Sequence, residues 1–140
     1  MLLPFLHLPP QAAAADELAR LLPRWVECGW LRALDAAFAG LLRREVPDAA
    51  PALLLAAALA SHQLGRGQVC LDLAATLADP DHALSFPPDG SEAEALHPDE
   101  WPQRVLQRLD LASWRAALAD ARLVGVGEGA TPLVLAGNRL

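Results

Sequence analysis

A chain of 140 residues is the size of one compact domain and long enough to bury an ordinary hydrophobic core. All 11 basic residues are Arg, so chemistry that turns on a lysine, such as a Walker phosphate grip or a Schiff base, is excluded from this chain. The formal net charge of −6 argues against a surface whose main task is to neutralise a nucleic-acid backbone. Ala and Leu dominate, Tyr is absent and only 3 Phe occur, which favours helices over strands. No stretch approaches the roughly 20 apolar residues of a membrane span. The apolar opening, Met1 to Pro10, lacks the basic start of a secretory signal, so a cytoplasmic location is expected. Cys28 and Cys70 form no CxxC pattern and are expected as two buried, reduced thiols.

Along the chain, residues 1–15 are expected to be irregular. Asp16 to Cys28 has helical spacing, with Leu18, Leu21, Leu22, Trp25 and Val26 on one face; Pro23 predicts either a start or a kink there, and Gly29 a stop. Trp30 to Leu34 reads as a short extended connection, and Asp35 as the N-cap of a helix carrying Phe38, Leu41 and Leu42. Arg43 and Arg44 suit the last turn of that helix. The clearest element follows Pro51, which is tolerated in a first turn. From Leu53 onward it is apolar on every side until Ser61, His62 and Gln63, the mark of a central buried helix, and Gly65 and Gly67 supply its stop.

Val69-Cys70-Leu71 is a candidate strand and Asp72 to Ala78 a short helix. Residues 79–102 hold repeated Pro, Asp and Gly signals and read as a mobile acidic loop. Gln103 to Leu109 and Ser113 to Ala121 are two further helical segments, the second with Trp114 and Leu118 inward. The end changes period. Arg122 to Val126 and Pro132 to Leu135 are strand-like and are expected to pair as a small antiparallel β-hairpin; Ala136-Gly137-Asn138 is a turn, and Arg139-Leu140 looks like a further strand begun. The fold class is therefore mainly α with a C-terminal hairpin (α+β), one domain over 16–140, and the chain is expected to be a truncated piece of a longer one.

Candidate chemical sites are thin. Gly125-x-Gly127-x-Gly129 lacks the Lys and the following helix of a phosphate cradle and reads as a strand-joining turn. His7, His62, His82 and His97 share no ligand spacing, so no metal site is expected. Ser61-His62 is a tempting pair, but adjacent helical residues point apart and no nucleophile elbow surrounds them. The acidic residues between Asp79 and Glu100 fit no ordered calcium loop. Of the 4 Trp, Trp114 reads as core, while Trp25 and Trp30, with Leu31 and Phe38 beside them, are the candidate partner-binding anchors.

Three segments carry a resemblance. Pro51-Ala-Leu-Leu-Leu-Ala-Ala-Ala-Leu-Ala-Ser61-His62, continuing through Gly65-Arg-Gly-Gln-Val-Cys-Leu-Asp-Leu73, resembles the Ala-rich helix of the N-terminal domain of the exodeoxyribonuclease V alpha chain, RecD. Leu31-Arg-Ala-Leu-Asp-Ala-Ala-Phe-Ala39 is similar to that family's Leu-Arg-x-Leu-Asp-x-x-Phe-Ala, and the stretch from Trp114 to Leu140 to its terminal strand pair. Asp120 and the long Pro-rich loop at 79–102 depart from the family pattern. The resemblance implies a parent that is an ATP-driven, 5′-to-3′ DNA helicase subunit within a three-chain nuclease for double-strand-break repair and recombination. It also implies that ATP and Mg belong to a downstream motor, and that this domain, itself without cofactor or catalysis, docks on the gamma chain, with the beta chain as the other partner. No strong nucleic-acid binding is expected of it alone, and an orphaned docking face would readily pair with its copy in a crystal. The order helix, short strand, helix, helix and hairpin leaves a winged-helix DNA-binding module as the rival, against which the lone Arg115 of the Ser113 to Ala121 segment counts.

Overall fold

The computed structural model describes residues 12–68, 70–80, 100–107, 109–120, 122–125, 131–137 and 139–140. The opening eleven positions, the body of the acidic loop at 81–99 and the glycine-rich 126–130 lie outside the described residues. Within them the order is α1 (Ala12–Glu27), α2 (Ala33–Glu45), α3 (Pro51–Gly65), α4 (Leu73–Ala78), α5 (Pro102–Leu106), α6 (Leu111–Ala117), β1 (Val124–Gly125) and β2 (Leu133–Val134). No helix among the described residues is long and apolar enough to cross a membrane.

The core is built around α3. Pro51 sits in its first turn behind the N-cap Ala50, and every residue from Pro51 to Leu59 is buried, because α1, α2 and α6 pack around it. Leu53, Leu55 and Leu59 are wholly enclosed, each worth about 1.5–3 kcal/mol of burial. The helix stops as expected, at a residue of left-handed backbone: Gly67 has φ +85°, while Gln68 N–H donates to the Gln63 carbonyl at 3.0 Å and Gly67 N–H to that of Leu64 at 3.1 Å. Gly65, also expected to contribute to the stop, is instead the last helical residue. Gly29 (φ +88°) ends α1 by the same pair of bonds, from Trp30 to Trp25 and from Gly29 to Val26.

Leu18, Leu21, Leu22 and Trp25 of α1 face the core and Glu17, Arg20, Arg24 and Glu27 face water, as the periodicity predicts. The helix begins earlier than expected, at Ala12, and runs through Pro23, which lies on the exposed side. Two short helices are set by carboxylate caps: Asp72 accepts from Ala75 N–H (3.0 Å) to start α4, and Asp110 from Ser113 N–H (2.7 Å) to start α6. The second cap moves α6 upstream of the Ser113 start read from the sequence.

The C-terminal strands correct the hairpin. β1 and β2 pair parallel, in the register Val124↔Leu133 and Gly125↔Val134. Antiparallel pairing does occur one step later. Ala136 and Arg139 exchange backbone bonds of 2.9 and 3.1 Å across a turn that contains Gly137 (φ +64°), and Leu140 exchanges two with Leu71 (2.9 and 3.0 Å). The turn is expected, with Asn138 outside the described residues; the candidate strand at 69–71 is not formed as a strand, since Val69 lies outside the described residues and Leu71 makes only the two bonds to Leu140 beside an isolated bridge at Asp72. Cys28 is buried, whereas Cys70 is only half-buried, and neither is in a disulfide.

Candidate functional site

Helix α2 differs from the sequence reading in a way that shapes the surface. Arg32 is its N-cap and Asp35 is the third residue inside. The Asp35 carboxylate accepts from the Arg32 backbone N–H at 2.8 Å, satisfying one of the amides a helix start leaves unpaired. The carboxylate is fully buried (0% exposed), and three other groups converge on it. The Arg32 guanidinium donates at 2.8 Å, the Ser61 hydroxyl at 2.7 Å, and His62 Nδ1 stands 3.8 Å away. Arg32 also donates to the Ser61 carbonyl at 2.9 Å, so the start of α2 is fastened to the end of α3. Burial alone would raise the Asp35 carboxyl. The bonds from Arg32 and Ser61, with the charge of Arg32, outweigh it and hold the carboxyl below its ordinary value, and the same contact raises the Arg32 guanidinium. Ser61 and His62 are thus members of a structural clasp. The Ser61 hydroxyl donates its proton to a buried carboxylate.

The clasp has a consequence for the outside of α2. From Ala33 to Leu41 the only charged side chain is Asp35, and it points inward. The solvent face is made of Ala33, Leu34, Ala37 and Leu41, with Leu34 62% and Leu41 44% exposed; polar residues appear on this face only at Arg44 and Glu45. The first nine residues of α2 thus turn their one charge in and leave Leu34 and Leu41 as an exposed apolar face.

Beside this face lies an open groove of about 540 Å³, floored by Leu34, Phe38 and Leu64 and walled by Cys70, Val134 and Arg139. Leu64 at 70% and Val134 at 43% are, with Leu34 and Leu41, the large apolar side chains most exposed to solvent among the described residues. Arg139 is exposed at the rim.

The four anchors read from the sequence divide. Trp25 and Trp30 are 0% and 2% exposed and Leu31 is buried, so on this fold they are core and offer no surface to a partner. Trp25 Nε1 donates to the Glu100 carbonyl at 2.7 Å, fastening α1 to the residue before Trp101. Trp30 stacks at a tilt on Trp101, with ring centroids 6.0 Å apart, and its Nε1 finds no acceptor among the described residues. Phe38 alone of the four reaches the surface, in the groove. Trp114 is core, its Nε1 donating to the Ala52 carbonyl at 3.1 Å. The signal that sequence reading missed was the inverted polarity of α2, visible as an isolated Asp in an otherwise apolar nine-residue run.

Asp120 is held by Arg122 through bonds of 2.9 Å from both Nε and Nη2, and Arg122 reaches Asp48 at 2.9 Å. The guanidinium lowers the Asp120 carboxyl and is itself raised by the two carboxylates. This exposed pair ties β1 to the approach of α3. No group of three or more His, Cys, Asp or Glu able to hold a metal ion occurs among the described residues.

Comparison with known proteins gives one match. The family described as the N-terminal domain of RecD, a subunit of the RecBCD enzyme, covers residues 27–140. No curated protein and no solved structure matches the chain. The matched span contains the Asp35 clasp, the apolar face of α2, the buried α3 and the groove, and the chain belongs to the RecD N-terminal domain family.

Proposed function

We propose that this is a non-catalytic docking domain, which anchors the helicase motor of the RecD subunit to its complex by binding the gamma chain. The observation that carries the proposal is the outward apolar face of α2, held in that orientation by the buried Asp35 clasp. Membership of a family defined by a subunit of a multi-chain enzyme supports it. ATP and Mg are assigned to the motor, and the beta chain is a second neighbour in the assembly. The function served is double-strand-break repair and recombination in the cytoplasm.

The winged-helix alternative is disfavoured on two counts. A wing is an antiparallel hairpin and β1 and β2 are parallel, and the exposed side of α6 presents only Arg115 as a cation. Mixing the domain with purified gamma chain and measuring mass by light scattering tests the proposal. A one-to-one complex at micromolar concentration is expected; steeply salt-dependent duplex DNA binding with no gamma complex would favour the alternative.

A further inference from the structure

Two residues that weaken a helix stand at one pocket. Pro23 lies inside α1 and Gly40 inside α2. Proline withholds an amide from the carbonyl four residues back, and glycine loses more backbone freedom on folding than any other residue. The local backbone calls for neither. α1 continues through Pro23 to Glu27. Gly40 is not among the glycines of positive φ, and a Cβ built on it meets nothing within 4 Å, so an alanine fits there and would strengthen α2. Between the two helices is an apolar pocket of about 70 Å³, floored by Leu18, Leu22 and Leu54 and lined by Pro23 from α1 and Gly40 from α2. Residues that break a local rule without local need mark a place the fold keeps for another use.

Size, polarity and position define the occupant. An apolar cavity of roughly 150 Å³ takes up benzene, so about 70 Å³ admits the branched end of a leucine or isoleucine and excludes an aromatic ring. Because Pro23 has no N–H, the carbonyl of Ala19, an exposed residue that also lines the pocket, lacks the amide that would close its helical turn. That leaves an acceptor open to a donor from outside. Arg43 is the one charged side chain in the lining and Arg44 beside it is exposed, so the mouth is cationic in a chain of net charge −6. Gly40 follows Ala37 by one helical turn, so the mouth opens at the edge of the outward α2 face. We propose that this pocket receives one leucine- or isoleucine-sized side chain of the gamma chain, next to a carboxylate that meets the arginine rim and an N–H or O–H that donates to the Ala19 carbonyl. The inference rests on gamma-chain docking by α2 and names its anchor. Ala19 and Pro23 lie ahead of residues 27–140, the span the family covers, so family membership does not assign this pocket.

Calorimetric titration of the gamma chain into the wild type, Gly40→Leu, Gly40→Ala and Pro23→Ala, with a thermal melt of each, tests it. The substitutions act on the helices and on binding in opposite directions. All three are expected to melt at or above the wild-type temperature. Affinity is expected to fall about 10- to 100-fold in Gly40→Leu, which occupies the pocket, and about fivefold in Pro23→Ala, which gives the Ala19 carbonyl an internal donor. Gly40→Ala, adding a single methyl, should show the same two signs in smaller measure. Gly40→Leu and Pro23→Ala that bind like the wild type, while Leu41→Glu weakens binding, overturn the pocket and leave docking by α2 standing. A wild-type chain that does not bind the gamma chain overturns both. Affinity that falls only together with melting temperature in all three variants assigns Pro23 and Gly40 to the fold and overturns the proposal. So does a dimer of the chain that Gly40→Leu abolishes with gamma affinity unchanged, which would place a second copy in the pocket.

Discussion

Removing the Asp35 carboxylate tests the clasp most sharply. Asp35→Ala takes an acceptor from the Arg32 amide, the Arg32 guanidinium and the Ser61 hydroxyl, which bond to it at 2.8, 2.8 and 2.7 Å. Hydrogen bonds to a buried charge are each worth about 1.5–3 kcal/mol, but the guanidinium can return to water, its side chain being 47% exposed. Discounting it leaves an expected loss of about 3 kcal/mol, or about 10 °C in melting temperature for a domain this size. The sign of the pH dependence follows from the lowered carboxyl. A group depressed in the folded state stabilises above its unfolded value, near pH 4, and loses that contribution as pH falls through its folded value. Urea unfolding of the wild type and Asp35→Ala at pH 7 and pH 3 should therefore show a gap that narrows in acid. A loss under about 1 kcal/mol at pH 7, or a gap that does not change between the two, would refute this account of the clasp.

Three further perturbations separate other parts of the fold. Trp25→Phe and Trp30→Phe remove the same volume, but only Trp25 loses a hydrogen bond, so Trp25→Phe should be the worse by about 1 kcal/mol in chemical denaturation. Ala57, fully buried in the middle of α3, has no room for a larger side chain; Ala57→Leu should cost about 1–3 kcal/mol by the same assay. Gly67→Ala should cost about 1 kcal/mol, because its φ of +85° strains any residue with a Cβ, and thermal melts will register it.

The helical architecture was legible because its signals are local. An unbroken apolar run after Pro51 can only be an enclosed helix, and the α1 stripe ending at Gly29 reads directly from spacing. Strand direction was not legible. Two short apolar runs joined by glycines pair either way, and nothing in their composition chooses the parallel register found here. The outward apolar face of α2 was missed for a related reason. Sequence assigns Asp35 to a cap and tryptophans to an interface by residue type alone, whereas the carboxylate is drawn inside by Arg32 and Ser61, groups 3 and 26 positions away. With Asp35 and Leu42 turned in, Leu34 and Leu41 lie on the outer side of α2. Trp25 and Trp30 are withdrawn by contacts with Glu100 and Trp101, about 70 positions further along the chain, which no periodicity links to α1.

The central claim is that the outer face of α2 binds the gamma chain, and Leu41→Glu addresses it directly. Leu41 is 44% exposed, so the substitution should leave the fold and its melting temperature essentially intact. Calorimetric titration of the gamma chain is expected to show affinity weakened about 10- to 100-fold, the loss of one buried leucine plus the cost of burying a carboxylate. Unchanged affinity for Leu41→Glu, with the wild type binding normally, would contradict the claim.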